Sequence, residues 1–258
     1  MSSRKIAVCF SGYPRTWRHG IESQKAYFEG YDVDFFTHTW GGGNDWQDND
    51  RYLYDFMKEY NPKLAIIEDR PDYSDFEKKV LTKFDPEKSS ANMAYMAHGF
   101  HGADLLRRKH EVDHNVHYDL VVRARYDTKW EGHFGLIEPT MESNLTDIYF
   151  PEHANYWEGY NDQCCISGPS VMTQFTSVFH FLEDSLVLRY PKNMYVGELV
   201  LKWYVDWIGL RVNYRPIQYK ILRPGQQNTP WDRIPYNDPV ARARRIRHRI
   251  KRKDELLK

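Results

Sequence analysis

Tyr118-Asp119-Leu120-Val121-Val122-Arg123-Ala124-Arg125-Tyr126-Asp127-Thr128 is the stretch on which the fold turns. Leu120, Val121 and Val122 form a short apolar run rich in β-branched residues, which predicts a strand buried on both faces of a parallel or mixed sheet. Charge begins where the run ends. Open α/β sheets bind ligands beyond the carboxyl ends of their strands, so Arg123, Arg125 and Asp127 are expected where a polyanion or a metal would sit. Two guanidinium groups can chelate phosphate oxygens, and a carboxylate can hold a divalent cation bridging the same phosphates. The competing reading is an internal salt-bridge network.

Working outward, the segments before this strand alternate in type. Lys5 to Phe10 reads as a buried strand, broken by Ser11-Gly12-Tyr13-Pro14-Arg15 before a helical pattern from Thr16 to Phe28. Gly12 lets the backbone approach a ligand, and Arg15 at the helix entrance would meet a phosphate. The turn is neither the dinucleotide fingerprint nor a Walker loop. A second strand, Val33 to Trp40, ends in Thr39 and Trp40; Trp40 either stacks on a base or packs. His38, a lone histidine in an apolar strand, reads as hydrogen-bonded structure and stays outside the expected site. A helix from Arg51 to Tyr60, a strand from Leu64 to Glu68, a short helix from Phe76 to Lys83 and a long helix from Asn92 to His110 complete the alternation. The fold class expected is α/β, a single Rossmann-like domain with a mostly parallel central sheet flanked by helices.

Beyond Asp127 the pattern changes to short strands at Ile148 to Phe150 and Cys164 to Ile166. Between them lies a loop of aromatic, acidic and amide side chains ending at Asn161-Asp162, the mixture a polyhydroxyl acceptor needs. Asp162 is either a turn residue or a group that orients or deprotonates a hydroxyl. Ser170 is expected to cap a helix running to Leu186, and Glu198 opens a helix from Leu199 to Ile208, where the helix dipole alone favours it. A last strand is expected from Arg211 to Leu222.

Composition bounds the remaining questions. At 258 residues one α/β domain is expected over residues 1–240. No run approaches the ~18 apolar residues of a membrane span. Three cysteines, two of them adjacent, do not make a disulfide framework, so a reduced, cytoplasmic setting is expected. The balance of 36 basic and 36 acidic residues conceals an asymmetry. Residues 241–258 carry nine Lys or Arg against Asp254 and Glu255, a net +7, leaving 27 basic and 34 acidic groups before them. Val240, Ala243, Ile246 and Ile250 recur every three or four residues, so this arm is either a basic amphipathic helix lying on a membrane surface or polyanion, or a solvated tail.

Four segments, Ser11 to Arg15, Asp32 to Trp40, Tyr118 to Asp127 and Asn161 to Gly168, resemble in their order the GT-A fold glycosyltransferases of the small kind found in viruses, phages and bacterial polysaccharide clusters. That resemblance implies transfer of a sugar from a nucleotide-diphosphate sugar to a hydroxyl of a glycan or other acceptor. Ser11, Gly12, Arg15, Thr39 and Trp40 would face the nucleotide, Arg123 the diphosphate or sugar, and Arg125 the nucleotide sugar. Asp127 would be the last carboxylate of the Asp-x-Asp motif that holds Mn²⁺ or Mg²⁺. Arg125 stands in place of the motif's first Asp, so either one carboxylate holds the ion with waters and phosphate oxygens, or Arg125 itself neutralises the leaving group. Asp162, slightly preferred, or Glu198 would act as base, with inversion slightly favoured over retention. A nucleotidyltransferase and a non-catalytic carbohydrate- or nucleic-acid-binding protein are the alternatives.

Overall fold

The computed structural model describes residues 4–14, 16–41, 49–85, 92–138, 146–153, 159–182 and 195–222, with the backbone alone for 49–53. Arg15, the glycines at 42 and 43, and the basic arm from 241 onward lie outside the described residues.

The first half alternates. Strand β1 (Lys5–Gly12) is followed by α1 (Trp17–Tyr27), β2 (Asp32–Gly41), α2 (Asn49–Tyr60), β3 (Leu64–Asp69), α3 (Ser74–Lys83) and α4 (Asn92–His114), which returns the chain to β4 (Leu120–Ala124). Then come β5 (Thr128–Glu131), a 3-10 turn at Phe134–Leu136, β6 (Asp147–Pro151), β7 (Cys165–Ser167), α5 (Pro169–Thr176), α6 (Val178–Phe181), α7 (Gly197–Trp207), β8 (Arg211–Arg215) and β9 (Gln218–Ile221). Seven strands form one sheet in the order β3-β2-β1-β4-β7-β6-β8, and β5 pairs with β9 in a separate two-stranded sheet. In the large sheet only β7 runs against its neighbours β4 and β6; the other pairings are parallel. The expected α/β class with a mostly parallel, helix-flanked sheet is what the chain adopts.

Alternation along β1 explains the layering. Ile6, Val8 and Phe10 join a core with Trp17, Ile21, Phe56 and Tyr60 from α1 and α2, whereas Ala7 and Cys9 join one with Ala97, Phe100, Ala103, Val171 and Leu201 from α4, α5 and α7. Both faces are covered, so the strands read as continuous apolar runs. All five residues of β4 are buried, as the Leu120-Val121-Val122 run predicts. In α1 the buried residues Trp17, Gly20, Ile21, Gln24 and Tyr27 keep helical spacing. Gly20 is required there, because a Cβ would lie 2.5 Å from the Thr128 carbonyl oxygen. Gln24 Nε2 donates to the Thr128 carbonyl at 2.7 Å, and its Oε1 accepts from the Tyr60 hydroxyl at 2.5 Å. These contacts pin the chain that leaves β4.

Three local expectations are corrected. The last strand is two strands in different sheets, because Pro216 has no N–H for a ladder and the chain turns there, with Ile217 N donating to Arg215 O. Ser170 does not cap α5; Gly168 is the N-cap and Pro169 takes the first helical turn, where a missing N–H costs nothing. The helix expected to run on to Leu186 breaks at Ser177 into α5 and α6. Strand β5 lay hidden in the charged Thr128-Lys129-Trp130-Glu131, whose buried Thr128 and Trp130 alternate with exposed residues.

Candidate functional site

Register carries the candidate residues to one edge of the sheet. Ser11 stands beside His38, Gly12 beside Thr39, Phe10 beside Ala124 and Trp40 beside Glu68, so the carboxyl ends of β1 to β4 are level. Tyr126 fastens them, its buried hydroxyl donating to Phe10 O at 3.2 Å and His38 O at 3.1 Å.

Arg123 is paired with Cys9 and Cys165 inside the sheet and is 3% exposed. Its guanidinium lies 3.6 Å from the Phe100 ring centroid and donates through Nη1 to the Asp162 carbonyl. Nε is buried with no partner among the described residues. Burial pushes the Arg123 pKa down to about 10, which still leaves it charged at neutral pH.

Arg125 and Asp127 close on each other. Nε and Nη2 of Arg125 donate to Oδ1 and Oδ2 of Asp127, each at 2.7 Å, in the bidentate fork that guanidinium and carboxylate favour. The Asp127 side chain is 4% exposed and that of Arg125 32%. Burial opposes the charge on Arg125, but the two hydrogen bonds and the negative charge of Asp127 outweigh it and hold the guanidinium pKa above its usual value. Each oxygen of Asp127 accepts one hydrogen bond from Arg125, so an Mn²⁺ or Mg²⁺ at Asp127 would compete with that guanidinium for an almost fully buried carboxylate.

The two expected bases come together. Asn161 builds the turn before β7: its Oδ1 accepts from Gln163 N at 2.8 Å and Cys164 N at 3.0 Å, and Nδ2 donates to the Tyr219 hydroxyl at 2.7 Å. That turn fixes Asp162, whose Oδ1 is buried without a partner among the described residues. Glu198 sits in the first turn of α7, with Gly159 against its backbone; a Cβ on Gly159 would lie 2.4 Å from the Glu198 carbonyl carbon. Burial first, and the negative charge of Asp162 second, push the Glu198 pKa up to about 7. Asp162 also acts electrostatically on Arg123 and Arg125, so it stands between the Glu198 carboxyl and the two guanidiniums.

The nucleotide-facing candidates are more enclosed. Ser11 is 4% exposed, and Gly12 adopts φ +105°, a left-handed conformation that favours glycine. Thr39 is fully buried and its Oγ1 donates to Gly12 O at 2.9 Å, so it shapes the turn after β1 from within. Trp40 is 4% exposed, with its ring edge-on to His38 and His98 at centroid distances of 4.8 and 5.1 Å. As it stands, Trp40 packs.

Sequence reasoning passed over Phe100, Asn161 and Tyr219. In the sequence Phe100 is only one apolar residue within the long helix expected from Asn92 to His110. Asn161 stands beside Asp162 at the end of the polar loop, and nothing in the sequence marks it as the group that aims Asp162.

Compared with protein-family models and with curated proteins, the chain matches none. Among the described residues, no helix is long and apolar enough to cross a membrane.

Proposed function

We propose that the chain is a glycosyltransferase that moves a sugar from a nucleotide-diphosphate sugar to a hydroxyl of a glycan or other acceptor. The observation that carries the reading is the place of Asp162, which meets Arg123 and Arg125 on one side and Glu198 on the other, with Arg123 Nε and Asp162 Oδ1 buried and still without partners among the described residues. Buried polar atoms left unpaired are costly, and a bound polar ligand relieves that cost.

In the proposed reaction the anomeric carbon–oxygen bond to the diphosphate breaks as the acceptor oxygen bonds to that carbon. Negative charge grows on the diphosphate, and Arg125, with Arg123 behind it, stabilises it. Asp127 orients Arg125. The acceptor's proton passes to Glu198, whose pKa near 7 suits a base at neutral pH, while Asp162 keeps that pKa raised and orients the hydroxyl. Inversion is the favoured outcome. No step runs through a metal at Asp127; this follows the departure at Arg125, where a cation-binding Asp would stand. Peripheral membrane or polyanion contact through residues 241–258 belongs to the proposal as a separate property of the arm.

The experiment is a panel of nucleotide-diphosphate sugars incubated with the full chain, followed by release of nucleoside diphosphate. At least one donor is expected to be turned over, and Glu198→Gln to reduce the rate by about 10²- to 10⁴-fold. Stabilisation by a sugar or nucleic acid with no turnover of any donor would favour the binding-protein reading instead.

A further inference from the structure

A second cluster lies where β2, β3 and α4 meet. His38 Nε2 is 2.8 Å and His98 Nε2 2.9 Å from the same oxygen, Oε1 of Glu68, and the three candidate ligand atoms lie within 4.8 Å of one another. Among the described residues this is the one group of three or more His, Cys, Asp or Glu side chains close enough to share an ion. We infer that His38, Glu68 and His98 form a binding site for a divalent transition metal of the Zn²⁺ class, independent of Asp127 and of the proposed sugar transfer.

Several observations point the same way. Two imidazoles and one carboxylate are a borderline-soft donor set that suits Zn²⁺ far better than Mg²⁺ or Ca²⁺, which favour all-oxygen shells. Four-coordinate zinc, with bonds of about 2.0–2.2 Å, spaces its donors about 3.3 Å apart, so the present cluster needs only small ring movements to close on an ion. His38 is held in place: it is 1% exposed, and Gly102 of α4 packs so closely that a Cβ there would lie 2.3 Å from its Cδ2. His98 has an outer partner, since its Nδ1 is 2.7 Å from the Tyr73 hydroxyl, the type of contact that orients a zinc-bound imidazole. Trp40 walls both rings. The Glu68 side chain is 39% exposed and that of His98 24%, which gives an ion a route in and leaves a fourth coordination position facing solvent.

An ionised carboxylate only accepts, so without an ion both Nε2 atoms carry the protons and donate to Glu68. Metal binding moves each proton to Nδ1, where His98 finds Tyr73 and His38, whose Nδ1 is buried without a partner among the described residues, finds none. His98 is therefore the better supported ligand, and the affinity rests on it and on Glu68.

The test uses the full, untagged chain stripped with a chelator, then titrated with Zn²⁺ alone and Co²⁺ alone. The inference predicts one saturable equivalent, a Zn²⁺-dependent rise in Tm, and visible absorption from tetrahedral or five-coordinate Co²⁺. Glu68→Gln keeps a hydrogen-bonding side chain but removes the charged ligand, and His98→Ala removes a partly exposed one; each is expected to weaken binding about tenfold or more. His114→Ala, at an exposed histidine whose ring centroid lies 4.5 Å from that of buried His110, is expected to leave binding intact. No saturable binding by the wild type, equal binding by Glu68→Gln and His98→Ala, or loss in His114→Ala alone would each overturn the inference.

Discussion

Arg125 grips Asp127 through two parallel hydrogen bonds of 2.7 Å, and the carboxylate so held is almost entirely buried. The pairing decides what each residue can do. Asp127 becomes a brace, and Arg125, a third of whose side chain reaches solvent, becomes the group that can meet a ligand. Asp127→Ala leaves a largely buried guanidinium without its counter-ion. The expected loss is roughly 2–4 kcal/mol, somewhat below a fully enclosed pair because Arg125 is partly wet. Urea denaturation measures it, and a loss below 1 kcal/mol (about the worth of an exposed pair) would contradict the buried brace.

Phe100 supports Arg123 from beneath at 3.6 Å. Phe100→Leu keeps most of the apolar volume but removes the ring face, so a loss of about 0.5–2 kcal/mol is expected beyond ordinary repacking. The double-mutant cycle with Arg123→Met isolates that term. A coupling energy near zero would mean that the ring is only filler.

Glu198 ties stability to pH. Its folded-state pKa, near 7, lies above the ordinary glutamate value, so the neutral acid is favoured in the fold. Its contribution is fully present below about pH 4.5 and is lost as pH rises through 7, on the order of 3 kcal/mol in all. Glu198→Gln should flatten that part of the profile and stabilise the protein above pH 7. Turnover runs the other way, because the proposed base must be ionised; kcat/KM is expected to rise through pH 7. Parallel denaturation and rate profiles at pH 5 to 8 check both signs.

Gly20 marks where α1 touches the chain leaving β4. Gly20→Ala sets a methyl 2.5 Å from the Thr128 carbonyl, and backbone cannot yield as a flexible side chain would, so a loss of about 1–3 kcal/mol is expected despite alanine's better helix propensity. Thermal unfolding reads the effect; a stabilised variant would show that the helix can move away freely.

The sheet was legible because its signal is local. Apolar runs such as Ile6 to Phe10 and Leu120 to Val122 need only their own composition to be recognised as doubly covered strands. Pro216 broke a run that looked continuous, and β5 was missed because only Thr128 and Trp130 of its four residues face inward. At the site, Asp162 and Glu198 could be nominated singly, but their approach across 36 positions depends on the packing of Gly159 on α7. The same limit applied to His38. Alone in its strand it read as structure, and only the register that sets Trp40 beside Glu68, with α4 bringing His98, gathers the three side chains.

The central claim, that Arg125 and Arg123 receive a diphosphate opposite the two carboxylates, is tested most directly by thermal shift of the full chain with nucleoside diphosphates, with and without chelator. A ligand at 100 times its dissociation constant adds about 2.7 kcal/mol of stability. The account predicts that at least one diphosphate raises Tm, that chelator leaves the rise unchanged, and that Arg125→Gln removes it. No stabilisation by any diphosphate, or an equal rise in Arg125→Gln, would contradict it.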